Sequence, residues 1–147
     1  PGRMTAGNDL GVSRTVARAV LGSLAAIQLA DGVYALFAPS SFFSDFPFGR
    51  GWVEALPAYS EHLVRDVGSL FLATGIFLAA AAWILERRIV LVALVSFLAF
   101  SLPHFIYHSF NLEPYSTGDA IANFLGLLFT VVAPIALLVA MLRKGSS

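Results

Sequence analysis

Four stretches of the chain stay apolar for the length of a membrane crossing, and short polar segments separate them. A helix needs about 20 mostly apolar residues to span roughly 30 Å of hydrocarbon. Residues 67–85, 89–112 and 120–142 contain no Asp, Glu, Lys or Arg, and residues 19–38 contain one acid, Asp31. The pattern predicts helices over residues 15–38, 62–85, 88–111 and 119–143. Arg14 and Arg18 before the first run would also suit a secretory signal, but signal cores hold about 7–15 apolar residues and end at a small-residue cleavage site. This run is longer and no such site follows, so it reads as a span.

The connections set the topology. Glu86-Arg87-Arg88 leaves almost no loop between the second and third spans, which makes them an antiparallel hairpin. Residues 39–61 form a long connection too interrupted by Pro and Gly to span. It is expected at the membrane interface, where Phe42, Phe43, Phe46, Phe48 and Trp52 suit an anchoring belt in preference to a lid. The expected fold class is all-α: one polytopic membrane domain over residues 1–147, an antiparallel bundle of four transmembrane helices. Gly22, Gly68, Gly75 and Gly126 are expected at close helix contacts. Pro103 and Pro134 are expected to kink the third and fourth spans. Pro1-Gly2-Arg3 and Gly145-Ser146-Ser147 read as appended residues outside the fold.

Charge adds a direction. With four spans, Arg3, Arg14, Arg18, Arg87, Arg88, Arg143 and Lys144 share one side, leaving Arg50 and Arg65 for the other. By the positive-inside rule both termini of this multi-pass cell-membrane protein are expected in the cytoplasm. Composition agrees, with 58% hydrophobic residues against about 45–50% in ordinary soluble chains. A net charge of zero excludes a nucleic-acid binder that works through a basic face. The absence of cysteine excludes disulfide scaffolds, thiol catalysis and thiolate-held iron–sulfur clusters.

The few polar residues inside the spans carry the candidate chemistry. Counted from the basic side at about 1.5 Å per residue, Asp31 lies about 20 Å up, His104 about 24 Å, and Asp66 and Asn123 about 30 Å. Residues three or four apart share a helix face. Gln28, Asp31 and Ala35 form one stripe; His62, Asp66 and Ser69 a second; Ser101, His104 and His108 a third; Asp119 and Asn123 a fourth. An ionisable group in the bilayer costs about 2.5–3.5 kcal/mol on insertion scales, so these stripes are expected to converge on a shared outer cavity. Residues 71–84 and 125–141 lack ionisable groups, which argues against a continuous ion pathway.

Three readings of the cluster remain open. His62, Asp66, His104 and His108 supply nitrogen and oxygen donors for a divalent metal such as zinc, iron, copper or manganese, with Asp31 and Asp119 in reserve. The His104-Phe-Ile-Tyr-His108 pair lacks the Glu of a zinc-protease motif. A structural network instead pairs Arg65 with Asp31 or Asp66 and lets Asp119, with Ser116 or Thr117, cap the fourth span. A third reading gives Asp31, Arg65, Asp119 and Asn123 to a small polar or lipid-like ligand, with the histidines available to relay protons. A haem, held by His62 opposite His104 or His108, or a quinone is a lesser variant.

The stretch Ala58-Tyr59-Ser60-Glu61-His62-Leu63-Val64-Arg65-Asp66-Val67-Gly68, with Pro103-His104-Phe105-Ile106-Tyr107-His108, resembles a group of small bacterial four-helix membrane proteins of DoxX-like type. The resemblance implies the four-helix fold and the membrane location over nearly the whole chain; the association of DoxX itself with quinone-linked respiratory chemistry is not carried over. No catalytic motif carries over residue by residue. The expected function is a ligand-binding or catalytic membrane protein whose outer cavity binds a metal ion or a small polar or lipid-like ligand. The alternative is a scaffold subunit, as a homo-oligomer or in a larger membrane complex, whose polar cluster only holds the helices together.

Overall fold

In the computed structural model, which describes residues 9–56 and 58–144, the chain forms helices α1 (Arg14–Phe37), α2 (Pro39–Asp45), α3 (Glu61–Ile84), α4 (Arg87–Phe110) and α5 (Thr117–Lys144). No strand occurs among the described residues. Helices α1, α3, α4 and α5 are each long and apolar enough to cross a membrane. The expected all-α four-helix bundle is therefore the fold found, that of a multi-pass membrane protein. Pro1-Gly2-Arg3 and Gly145-Ser146-Ser147 lie outside the described residues.

Helix α1 packs most closely on α3, and the two run antiparallel. The Arg18 Nε donates to the Ala82 carbonyl near the end of α3 at 3.2 Å, and the Arg65 Nη1 donates to the Leu36 carbonyl near the end of α1 at 2.5 Å. The last carbonyls of a helix lack internal partners and carry the negative end of its dipole. Each helix of the pair thus has its C-terminal turn met by a guanidinium from the other's N-terminal part.

Glycine permits the contact. A Cβ on Gly32 would lie 2.6 Å from the Leu72 amide nitrogen, and one on Gly68 2.7 Å from that of Leu36. Gly75 sits as tightly on Leu29. With no hydrophobic drive between helices in lipid, this backbone-to-backbone packing is the main source of association. The close-contact role expected for Gly68 and Gly75 is observed, and Gly32 joins them. Gly22 and Gly126 depart from it, since a Cβ on either meets nothing within 4 Å.

The ring closes through α3 on α4, α4 on α5 and α5 on α1. Leu85, buried in the left-handed region at φ 52°, turns the chain from α3 into α4. Pro103 and Pro134 sit inside α4 and α5, which continue past them. Near the end that carries Arg14, Arg87 and Arg143, the space between helices is filled by Leu21, Leu24, Leu78, Leu94, Phe97 and Met141. Toward the opposite end the bundle is hollow.

The long connection is more ordered than an interfacial loop. Pro39, whose fixed φ suits the first helical position, opens α2 directly after α1. Tyr34 holds this helix by a 2.8 Å hydrogen bond with the Ser41 hydroxyl, which in turn donates to Asp45.

Candidate functional site

A cavity of about 470 Å³ occupies the hollow end. Its walls are Ile27, Gln28 and Asp31 from α1, Val67 and Phe71 from α3, Phe100, His104, Tyr107 and His108 from α4, and Asn123, Gly126, Leu127 and Thr130 from α5. Phe42, Phe46, Trp52, Val53 and Leu56 of the long connection form its roof. Of the aromatics expected in an anchoring belt, Phe42, Phe46 and Trp52 line the cavity, and Phe48 is fully exposed. Phe71 meets Phe100 edge-on at 5.2 Å between ring centres.

The polar groups that reach the cavity are short of partners. Gln28 is 5% exposed and Asn123 4%, and Gln28 Oε1, Asn123 Oδ1 and His108 Nδ1 have no hydrogen-bond partner. Ser101 Oγ, one turn before His104, is buried and unpaired as well. His104 stacks on Phe100 at 5.1 Å and meets the edge of His108 at 4.5 Å. Asp31 is the one carboxylate on the wall, no Lys or Arg lines it, and Asp31 makes no ion pair or hydrogen bond among the described residues.

The roof is latched to the start of α5. Asp119 accepts from the Trp52 indole N–H at 2.9 Å and forms an ion pair with Arg50. Tyr115 donates its hydroxyl to the Trp52 carbonyl at 2.8 Å. Burial, and secondarily the neighbouring Tyr107, pushes the ionisation of that hydroxyl upward. Ser116 caps α5 by accepting from the Asp119 amide at 3.2 Å and donating to its carboxylate at 2.7 Å, the cap expected from the sequence.

The expected site residues separate accordingly. Asp31, His104, His108 and Asn123 are brought together on the cavity wall. Asp119 fastens the roof and does not line the cavity. Arg65, expected to meet Asp31 or Asp66, pairs with Glu61 at 2.9 Å and caps α1 instead. His62 and Asp66 pair with each other at 3.2 Å on the outside, 83% and 59% exposed. The four residues expected as a metal set are therefore not assembled, and the described residues hold no group of three or more His, Cys, Asp or Glu placed for one ion.

The reason lies in the rotation of α3. Its glycines fix which face meets α1, and Asp66 stands two residues from Gly68, about 200° around a helix of 3.6 residues per turn. Val67 and Phe71, not the polar stripe, then face the cavity. Gln28 lines the cavity as its stripe with Asp31 predicts, and Tyr107 is the lining polar group that sequence reasoning missed. The signal for Tyr107 was its place next to His108.

Comparison with known protein families, curated proteins and solved structures gives no match to this chain.

Proposed function

We propose that this membrane protein binds a small amphipathic organic molecule, lipid-like or quinone-like in size, in the roofed cavity between its four long helices. The observation that carries the reading is the set of unpaired polar atoms on the wall, Gln28 Oε1, Asn123 Oδ1 and His108 Nδ1. A buried polar group without a partner costs about 1–3 kcal/mol. Three helices present such groups to one space, and a guest with an apolar body and a hydrogen-bonding head satisfies them. Small-molecule sites enclose about 300–1,000 Å³ and combine mostly apolar walls with a few polar groups, which describes this cavity of about 470 Å³. The basic end, with Arg14, Arg18, Arg87, Arg88 and Arg143, belongs on the cytoplasmic side by the positive-inside rule, which puts the cavity in the outer half of the bilayer.

The test is native mass spectrometry and organic extraction of protein purified in mild detergent, beside Gly126→Trp. Gly126 lines the cavity and a Cβ there meets nothing within 4 Å, so Gly126→Trp is the variant designed to occupy the site. A molecule of a few hundred daltons, present in the parent and absent from Gly126→Trp at unchanged thermal stability, is the expected result. An empty parent that loses stability when Gln28 or Asn123 is replaced by Leu would instead make the cluster structural, as in a scaffold subunit.

A further inference from the structure

The charge on the cavity wall selects among amphipathic molecules. Asp31 brings a carboxylate to a space with no Lys or Arg on its lining, and the two imidazoles there, His104 and His108, pack on Phe100 and on each other without an ion pair to Asp31. The cations that could have reached it are engaged elsewhere: Arg50 on Asp119 across the roof, Arg65 on Glu61 and the Leu36 carbonyl, and Arg18 on Ala82 at the other end of α1. Buried charges are stable when paired. Around Asp31 the same cavity presents the rings of Phe42, Phe46, Trp52, Phe71, Phe100 and Tyr107. Aromatic faces attract cations, more strongly where water is excluded. The buried carboxamides of Gln28 and Asn123 add unpaired acceptors.

One uncompensated carboxylate, an aromatic surround and free acceptors are the recognition set for an ammonium group on an apolar body. Resting on the cavity being a ligand site, we infer that its ligand class is the lipophilic amine, bound with its cationic nitrogen at Asp31 and its hydrocarbon part against the aromatic walls. Anionic amphiphiles meet an unscreened like charge there and are rejected.

The roof supplies the reporter. The chain has two tryptophans, and Trp83 lies 84% exposed at the other end of the bundle, so Trp83→Phe leaves Trp52 on the cavity as the sole indole. This protein, in nanodiscs of net-neutral phosphatidylcholine, is titrated with 1-adamantylammonium and with 1-adamantanol, which share one cage and differ in the charged head. The amine is expected to bind about tenfold tighter or more, a difference of about 1.4 kcal/mol. Asp31→Asn should erase that preference while alcohol binding persists, which shows the variant folded. Asp31→Glu should retain it. Saturable binding of both probes with equal affinity, abolished by Gly126→Trp, would overturn the amine class and leave the ligand cavity standing. A preference that survives Asp31→Asn would overturn the amine class in the same way. Binding of neither probe, or binding indifferent to Gly126→Trp, would overturn both.

Discussion

The Trp52 indole N–H donates to the Asp119 carboxylate at 2.9 Å, joining the roof of the cavity to the first turn of α5. Asp119 also holds Arg50 and completes the Ser116 cap, so one side chain secures roof and helix start together. Asp119→Ala is expected to free the roof. In the Trp83→Phe background, Trp52 emission should shift to the red and its quenching by acrylamide should rise. Unchanged emission would mean that the roof is held by its apolar contacts.

Tyr115 provides a pH-dependent view of the same latch. Burial raises the ionisation of its hydroxyl above the ordinary value, so the folded state favours the protonated, donating form. Its contribution is complete below the unfolded value of about 10 and is lost as pH rises through the higher folded value. Quenching of Trp52 should therefore begin to increase above about pH 10, and Tyr115→Phe should remove that step.

The glycines of the α1–α3 contact differ sharply from those elsewhere. Gly32→Ala and Gly68→Ala place a methyl against backbone and should each cost about 1–3 kcal/mol by overpacking. Gly22→Ala has open space and should be neutral or stabilising by up to about 1 kcal/mol through helix propensity. Thermal unfolding in detergent, with intact protein detected after heating, separates the two groups.

Gln28 should behave oppositely to a structural core polar residue. Its amide is buried and its Oε1 unpaired, so Gln28→Leu removes a desolvation penalty of about 1–3 kcal/mol from the empty protein. The unliganded form is expected to unfold at the same or a higher temperature, while stabilisation by added ligand disappears. A large drop in unfolding temperature would show a bond that Gln28 makes within the fold.

Arg18 and Arg65 act at opposite ends of one helix pair. Each replacement by Met should cost about 0.3–1 kcal/mol, the usual range for a cation at an exposed helix C-terminus. Because the two sites are a helix length apart and share no partner, the double variant should lose the sum, as unfolding curves can verify. A double loss well beyond the sum would reveal coupling through the glycine contact.

Much of this was legible in the chain because the membrane restricts the choices. Four uncharged runs leave room for little but four helices, and the stripes of Asp31, His104 with His108, and Asn123 found their common space. What the stripes could not supply was rotation. On α3 the polar face of His62 and Asp66 and the small face of Gly68 and Gly75 compete for the interior. Close packing of backbones on α1 decides in favour of glycine, while a position near the helix start lets the polar pair turn outward at low cost. The roof was hidden for a different reason. Its aromatics suit an interface and a cavity equally, and the latch from Asp119 to Trp52, 67 residues apart in sequence, is a long-range contact that no local pattern announces.

The filled core between Leu21, Leu94 and Met141 makes the hollow above it a dead end. A guest in this conformation therefore rests on a packed floor and occupies one half of the bundle's length, with the other half given over to Leu21, Leu24, Leu78 and Met141.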